Sequence, residues 1–290
     1  NAVAGSGKTT TLVQYALARP TMRILYLAYN KAISNEINTK LQELNITNVK
    51  ASTIHSLAYG ITGAHQYKFF ELDELSIAKL IHTTNLTMAW LIKDIINFYL
   101  NSAIITINDQ LLFEYVESTH PSSEVDTLLK KESHLILQTI KTMLGSMKNK
   151  EIPTTHDFYL KLLQLSNYKL SYDIIMVDEA QDTSAVMLDF IGRQDAKKIF
   201  VGDAFQQIYS FRYAINSLDK LDYPSYSLTK SFRFGDWYAK VISEKINEAY
   251  KALKIDKKLI LEGNDSYTTI GAKNIDENSP LTVISRSNLG

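Results

Sequence analysis

Two short stretches combine residue types that could bind and hydrolyse a nucleoside triphosphate. The first, "AVAGSGKTT", places glycines just before a lysine and threonines. Backbone N–H groups of such a loop can surround phosphate oxygens, while the lysine reaches the β- and γ-phosphates and a hydroxyl binds Mg²⁺. The loop departs from the strict pattern at Ala2, where a glycine is usual. We expect the phosphates to be bound by Ala4, Gly5, Ser6, Gly7, Lys8, Thr9 and Thr10.

The second stretch, "IIMVDEAQD", ends an apolar run in carboxylates. Asp178 is predicted to bind Mg²⁺ together with Thr9, and Glu179 is placed to polarise an attacking water. A kinase must shield its phosphoryl group from water, so a glutamate beside the metal ligand favours hydrolysis over transfer to a substrate hydroxyl. Acids at a strand end can also serve as simple helix caps.

These residues have to be positioned by the elements around them. A helix is predicted to start at Lys8, because apolar residues recur after it at helical spacing. The segments "RILYLAYN", "VKAST", "YDIIMV" and "KKIFVGD" are typical of strands, and helical segments separate them. Alternating strands and helices predict an α/β fold, in which crossover helices connect a parallel sheet. The segment "PLTVISRSN" predicts one further strand near the end of the chain.

The composition excludes several classes of function. The 290 residues include 31 basic and 31 acidic side chains, so no global field attracts the chain to nucleic acid or an anionic membrane. Any DNA contact must therefore be local. The absence of cysteine excludes disulfides and thiolate metal sites. No apolar run is long enough to span a bilayer, and no secretion signal opens the chain, so we expect a cytoplasmic or nuclear protein that binds no membrane.

Several motifs together resemble one family. In chain order, "AVAGSGKTT", "TIHSLAYG", "VDEAQD" and "GDAFQQIYSFRYA" resemble motifs I, Ib, II and III of UvrD/Rep-type superfamily 1 DNA helicases. "LAYNKAISNEI" is similar to motif Ia, and "LTKSFRF" to motif IV. The stretches "LYLAYNKAISNEI", "STIHSLAYG" and "THDFYLKLLQLS" are most similar to the F-box DNA helicase branch. The resemblance implies an ATP-dependent helicase or translocase that moves on single-stranded DNA from 3′ to 5′.

The resemblance also implies a domain organisation for this P-loop NTPase. Residues 1–62 and 150–224 would form a first RecA-like, ATP-binding domain, and residues 63–149 an α-helical insertion. The insertion could equally be a set of extra helices on the same core. Residues 225–290 would begin a second, incomplete RecA-like domain.

Roles at the nucleotide follow from the same motifs. Gln206 corresponds in position to a glutamine that senses the γ-phosphate, and its amide can both donate and accept. Phe232 resembles an aromatic residue that stacks on adenine, and Arg233 an arginine that contacts the γ-phosphate. The catalytic set implied by chemistry and resemblance is therefore Glu179, Lys8, Gln206 and Arg233.

Other residues are candidates for DNA contacts. The family uses the positions of Tyr29 and Phe211 to stack on bases, and Tyr209 offers another flat face; burial in a core is the alternative for such aromatic residues. Polar residues near strand ends could hydrogen-bond the DNA backbone. Lys31, Arg212 and His156 are weaker candidates for phosphate contacts, and the alternative for each of them is an ordinary solvated surface charge. These polar and charged candidates are Asn30, Lys31, Thr53, His55, Ser56, His156 and Arg212.

The ends of the chain suggest a part of a longer protein. No strand or adenine-reading glutamine segment precedes Asn1, and no motif V or VI follows Gly290, so we expect the isolated fragment to be inactive. Partners would be single-stranded DNA and duplex junctions, with protein partners possible through flanking regions. Two alternatives remain: the motor part of a helicase–nuclease, and a DNA-dependent ATPase that remodels protein–DNA complexes without unwinding.

Overall fold

The computed structural model describes residues 2–70, 73–203, 206, 222–256 and 258–265. Tyr209, Phe211 and Arg212, together with the predicted strand "PLTVISRSN", lie outside this part of the chain. The described residues divide into two compact units on either side of the Leu228–Thr229 peptide bond. The predicted boundaries of the domains and of the helical insertion stay predictions.

The first unit contains a four-stranded sheet in which all strand pairs are parallel. The strands are β1 Ile24–Leu27, β2 Val49–Ser52, β3 Ile174–Val177 and β4 Lys197–Phe200. Their spatial order is β2, β1, β3, β4. Strands β1 and β3 are buried along their whole length, because helices cover both faces of the sheet. The predicted α/β class with a parallel sheet is confirmed.

Helices pack on the two faces of this sheet. Helices α1 (Lys8–Leu17) and α2 (Lys31–Glu43) share a hydrophobic cluster with alternate residues of β1 and β3, among them Tyr26. The intervening strand residues pack on the opposite face. That face is covered by α3 Ile54–Ile61, α8 His156–Leu165 and α9 Ala185–Gly192. Because alternate strand residues point to opposite faces, the sheet is covered by helices on both faces, which gives three layers: helices, sheet and helices.

A third hydrophobic cluster lies among the helices between α3 and α8. These helices are α4 Glu74–Leu80, α5 Leu86–Asn101, α6 Asp109–Thr119 and α7 Ser123–Lys148. Asp73, Asn85, Asn108 and Ser122 cap their N-termini through side-chain oxygens. In residues 63–70 and 73–149 the structure shows no strand, and β pairing is limited there to a single bridge from Phe69 to Thr154.

The second unit contains a short parallel pair of strands and one helix. Strand β5 (Lys230–Gly235) leads directly into α10 (Asp236–Ala252), and β6 (Glu262–Asn264) pairs with β5. Strand β5 thus contains most of "LTKSFRF", the stretch similar to motif IV. Among the residues with described positions, no helix has both the length and the apolar character needed to cross a bilayer.

Candidate functional site

The glycine loop has the local geometry of a phosphate-binding turn. Gly5 and Gly7 have φ values of 71° and 81°, in the left-handed region that favours glycine. Helix α1 begins at Lys8, directly after Gly7, and no side chain caps its N-terminus. The N–H groups of the first turn and the positive end of the helix dipole therefore remain suited to an anion.

A buried hydroxyl in this loop also suggests a ligand. Ser6 is 7% exposed, and its Oγ atom makes no hydrogen bond to any described residue. A buried hydroxyl without a partner is costly, whereas a phosphate oxygen would satisfy it. The loop is fixed to the sheet by the Ala2 N–H, which donates to the Gly202 carbonyl at 2.9 Å. This bond holds the start of the loop, which leads into the predicted phosphate-binding residues 4–10, beside the residues that follow β4.

The two predicted metal ligands lie beside each other. Asp178 follows β3, and its Oδ2 accepts a hydrogen bond from the Thr9 hydroxyl at 3.5 Å. Burial raises the pKa of the Asp178 carboxyl above its usual range, and the nearby Glu179 carboxylate acts in the same direction. A hydroxyl and a carboxylate are the hard oxygen donors that suit Mg²⁺, which takes further oxygens from phosphates and water. No cluster of three acidic or histidine ligands occurs among the described residues, and such a site does not require one.

Glu179 lies next to the lysine of the loop. Its Oε2 is 3.1 Å from the Lys8 Nζ, and the glutamate side chain is 30% exposed. Glu179 has a φ of 49°, a left-handed conformation that is uncommon for a residue other than glycine. This turn ends β3 abruptly and directs the carboxylate toward α1. Lys8, Thr9, Asp178 and Glu179 therefore lie close together.

Tyr26 belongs to this group of residues, although its position was not predicted. Its hydroxyl donates to Asp178 Oδ2 from the neighbouring strand β1. Burial, followed by the Asp178 charge, raises the pKa of the Tyr26 phenol above its ordinary value. Within "RILYLAYN" this tyrosine has the pattern of a core residue. Its signal in the sequence was a hydroxyl one position before the end of β1, on the face that Asp178 shares.

A chain of amide and carboxylate contacts leads from Glu179 to Gln206. Gln181 Nε2 donates to Glu179 Oε2 at 2.9 Å, and Gln181 Oε1 accepts from the Asp203 N–H at 3.0 Å. The Gln206 Nε2 in turn donates to Asp203 Oδ2 at 2.6 Å. Gln181 was missed as a functional residue, although its place in "DEAQD" was the available signal. The ends of β3 and β4 are therefore joined by side chains.

The approach of β4 to Gln181 requires a glycine. A Cβ atom added to Gly202 would lie 2.4 Å from Gln181 Oε1 and 3.0 Å from the Ala180 nitrogen. Any larger residue would therefore displace the amide that bridges Glu179 and Asp203. The glycine of "VGD" is explained by this contact.

Several predicted DNA-binding residues lie at the same edge of the sheet. Tyr29 and Asn30 follow β1, and Thr53 follows β2. Tyr29, Asn30 and His55 line a cavity of about 510 Å³ that Asp178 and Glu179 also line. The carboxyl ends of parallel strands are the usual place for ligands in such sheets.

The structure also gives some of these side chains local roles. Asn30 caps α2 through a hydrogen bond from the Ile33 N–H at 2.9 Å. Thr53 caps α3, accepting from the Ser56 N–H at 3.0 Å. The Thr53 hydroxyl also donates to the Ser56 hydroxyl. Lys31 is exposed at the start of α2.

The two candidate histidines have different surroundings. His55 Nε2 is 3.4 Å from Asp157 Oδ1 at the edge of the cavity. His156 stacks on Phe69 with ring centroids 4.6 Å apart, and Tyr159 lies edge-on to it. The aromatic stack gives His156 a packing role that the sequence did not indicate.

Phe232 and Arg233 lie in β5 of the second unit. Phe232 is 64% exposed, and its carbonyl accepts a hydrogen bond from Asn264 Nδ2 at 2.9 Å. Arg233 is exposed, and its backbone N–H donates to the Ser231 hydroxyl at 3.3 Å. Both side chains are thus presented on the surface of their own unit.

Comparison with known proteins gives a consistent result. A family model described as "UvrD/REP helicase N-terminal domain" matches residues 1–222. F-box DNA helicase 1 of Gallus gallus is 32% identical over 303 residues, covering 99% of this chain and 29% of the relative. F-box DNA helicase protein 1 of Schizosaccharomyces pombe is 35% identical over 264 residues, covering 82% of this chain and 29% of the relative. The chain thus spans less than a third of these relatives, and the resemblance predicted from its motifs is confirmed.

Proposed function

We propose a function from one premise: the chain belongs to the UvrD/REP helicase N-terminal domain family, whose model covers residues 1–222. The protein is an ATP-dependent DNA helicase or translocase that moves on single-stranded DNA from 3′ to 5′. The chain's first unit supplies the nucleotide site and part of the DNA track. Both curated relatives carry the words "DNA helicase" in their names, which supports DNA as the substrate.

The observation that carries this proposal is the convergence of four side chains at one edge of the sheet. Lys8 Nζ lies 3.1 Å from Glu179 Oε2, and the Thr9 hydroxyl lies 3.5 Å from Asp178 Oδ2. Two residues come from the helix after the glycine loop and two from the end of β3. A phosphate-binding turn beside a paired metal carboxylate and base is suited to hydrolysis of a nucleoside triphosphate.

ATP binding would change the partner of Lys8. A phosphate oxygen in the loop would compete with Glu179 for the ammonium, since both are anionic. Once released, the Glu179 carboxylate could accept a proton from the attacking water. Thr9 and Asp178 would hold Mg²⁺, which neutralises charge developing on the phosphates.

The contacts from Glu179 to Gln206 support a link between the nucleotide and motif III. Gln181 touches both Glu179 and the backbone of Asp203, and Asp203 holds the Gln206 amide. A change in the position of Glu179 would therefore be transmitted to the segment that carries the predicted base-stacking residues. Hydrolysis and DNA contact would be coupled through this route.

Single-stranded DNA would cross the carboxyl edge of the sheet. Tyr29 offers a flat face beside the cavity, and stacking on bases does not depend on their sequence. Asn30, Lys31, Thr53, His55, Ser56 and His156 are the described candidates for contacts with the DNA backbone. Tyr209, Phe211 and Arg212 complete the proposed set from outside the described residues.

The resemblance of "LTKSFRF" to motif IV supports two further proposed nucleotide contacts. Phe232 would stack on adenine, and Arg233 would contact the γ-phosphate. Both side chains are exposed, as residues that receive a ligand must be. A cationic group at the γ-phosphate stabilises charge in the transition state of phosphoryl transfer.

Strand displacement tests this proposal. The purified full-length protein, of which this chain is a part, is mixed with partial duplexes that carry a 3′ tail, a 5′ tail or no tail, with ATP or a non-hydrolysable analogue. We expect displacement only with ATP and preferentially from the 3′ tail. DNA-stimulated ATP hydrolysis without displacement would instead favour remodelling of protein–DNA complexes, and no DNA stimulation would contradict the proposal.

A further inference from the structure

We infer that Tyr26 is a positioning residue for the metal site: its hydroxyl holds the Asp178 carboxylate in the orientation that, with Thr9, binds Mg²⁺. The inference rests on the proposed function and adds a residue that neither motif II nor the glycine loop contains. Tyr26 lies in the middle of β1, and its side chain reaches the end of β3.

The register of the sheet places the two residues together. Tyr26 is paired with Met176 across the β1–β3 ladder, and Asp178 lies two positions after Met176, directly past the end of β3. Residues two apart in a strand point to the same face. The phenol therefore extends along the sheet surface beneath α1, and its hydroxyl meets the carboxylate where that surface ends.

Both oxygens of Asp178 are held. Oδ1 accepts the Glu179 N–H at 2.9 Å, while Oδ2 accepts the Tyr26 hydroxyl and lies 3.5 Å from the Thr9 hydroxyl. Two donors on opposite oxygens fix the rotation of the carboxylate about its Cβ–Cγ bond. The oxygen nearest Thr9 is thus presented to the metal before the metal binds.

A purely structural role would not require the hydroxyl. Tyr26 is 1% exposed and packs among apolar residues of α1, α2 and the central strands. Phenylalanine would fill this position without the cost of burying a hydroxyl. The hydrogen bond to a predicted metal ligand gives the hydroxyl a function, because second-sphere partners orient ligands and tune their affinity.

The chain contains a matched control for this contact. Tyr115 is also 1% exposed, and its hydroxyl donates to Asp94 Oδ2 at 2.7 Å within the α4–α7 helices. Tyr115→Phe therefore removes the same kind of bond from the same kind of environment, away from the nucleotide loop. Any general cost of losing a buried phenol–carboxylate bond appears in both variants.

The experiment measures metal binding directly. Mn²⁺ is titrated into the wild-type protein, Tyr26→Phe and Tyr115→Phe in the presence of a non-hydrolysable ATP analogue, and free Mn²⁺ is followed by electron paramagnetic resonance. Binding of a fluorescent analogue in EDTA measures the nucleotide site without metal. Tyr26→Leu serves as a second variant, since it removes the hydroxyl with another apolar shape.

We expect Tyr26→Phe to weaken Mn²⁺ binding about 10-fold, within the range of about 10- to 100-fold found for such partners. Tyr115→Phe should retain wild-type Mn²⁺ affinity, and all proteins should bind the analogue equally in EDTA. Unchanged Mn²⁺ affinity in a folded Tyr26 variant would overturn this inference and leave the proposed function intact. Failure of the wild-type protein to bind nucleotide and Mn²⁺ would instead overturn the proposed function.

Discussion

The Lys8 ammonium lies 3.1 Å from the Glu179 carboxylate, which joins the first turn of α1 to the end of β3. The two side chains come from segments about 170 residues apart. Glu179 follows β3, and the loop before Lys8 is bound through Ala2 to Gly202, which follows the neighbouring strand β4. The lysine proposed to bind phosphate and the proposed catalytic base thus neutralise each other. A nucleotide that engages Lys8 would release Glu179, so binding and activation of the base would be linked.

Removal of the Gln181 amide should separate hydrolysis from DNA binding. Gln181→Ala loses the contacts to Glu179 Oε2 and to the Asp203 N–H, which connect motif II with motif III. We expect ATP binding to persist, while stimulation of hydrolysis by single-stranded DNA falls at least about 10-fold, or roughly 1.4 kcal/mol. Steady-state ATPase assays measure this stimulation as the ratio of the hydrolysis rate with single-stranded DNA to the rate without it.

Gln164→Ala is the control for this variant. Gln164 is 1% exposed, and its amide donates to the Ala103 carbonyl and to Asp189 at 2.8 Å. Both variants lose a buried amide, so both should be destabilised by about 1–3 kcal/mol. Equal DNA stimulation in Gln181→Ala and Gln164→Ala would refute the coupling role.

Replacement of Tyr29 should weaken binding of single-stranded DNA. Tyr29→Ala removes a ring that lines the cavity beside β1, and we expect a loss of about 1–3 kcal/mol per stacked base. This corresponds to a decrease in affinity of roughly 5- to 150-fold, measured by anisotropy of a labelled oligonucleotide. Tyr29→Phe should retain affinity.

Tyr168 provides the comparison. It is 48% exposed and precedes β3, so it lies toward the opposite edge of the sheet. Tyr168→Ala should bind DNA as the wild-type protein does. If Tyr29→Ala binds DNA normally but unfolds at lower denaturant, its ring belongs to the core instead.

Thr53 should contribute to stability through the cap of α3. Its Oγ1 accepts the Ser56 N–H at 3.0 Å, and Thr53→Ala should lower the free energy of unfolding by about 1 kcal/mol. Urea denaturation followed by circular dichroism measures this loss. Thr53→Ser keeps the hydroxyl and should recover most of it; an equal loss in both variants would show that the cap is not responsible.

Lys161 should make stability depend on pH. Burial lowers the pKa of its ammonium to about 7, and its Nζ contacts the Ser102 and Ile104 carbonyls. Between pH 7 and the ordinary lysine pKa of about 10.5, the unfolded chain binds more protons than the folded one. The free energy of unfolding should therefore rise with pH in this window, by up to about 1.4 kcal/mol per pH unit.

Lys161→Met removes this linkage. We expect the free energy of unfolding of the wild-type protein to rise relative to that of the variant between pH 7 and 10. The exposed Lys141→Met should show no such relative change. A constant difference between wild type and Lys161→Met over this range would mean that Lys161 stays charged in the folded protein.

Much of the site follows from chain-local patterns. The glycine loop before a helix predicts Lys8 and Thr9, and "VDEAQD" at the end of an apolar strand predicts Asp178 and Glu179. Tyr26 and Gln181 could not be assigned in the same way. Their roles depend on which strands are neighbours and on the register between these strands. Both are set by pairing between segments that are distant in the sequence, such as β1 with β3.

The helix-capping and packing roles of the DNA-binding candidates could not be predicted from the sequence either. Thr53 and Asn30 have side chains typical of both caps and phosphate contacts, and only the hydrogen bonds show that each caps a helix. His156 was considered as an isolated polar residue. Its stack on Phe69 arises because the chain before α4 passes next to α8.

The most direct test of the ATP site is hydrolysis by the full-length protein carrying Glu179→Gln. Glutamine preserves the shape of the side chain but cannot accept a proton from water, so we expect near-normal ATP binding and a loss of DNA-stimulated turnover of about 10²- to 10⁴-fold. The control is Glu74→Gln, which removes a carboxylate 2.5 Å from Lys93 in the helices away from the loop and should retain full activity. Loss of turnover in Glu179→Gln alone, with ATP still bound, is the predicted result. Wild-type turnover in Glu179→Gln would contradict the assignment of the base and of the site built around it.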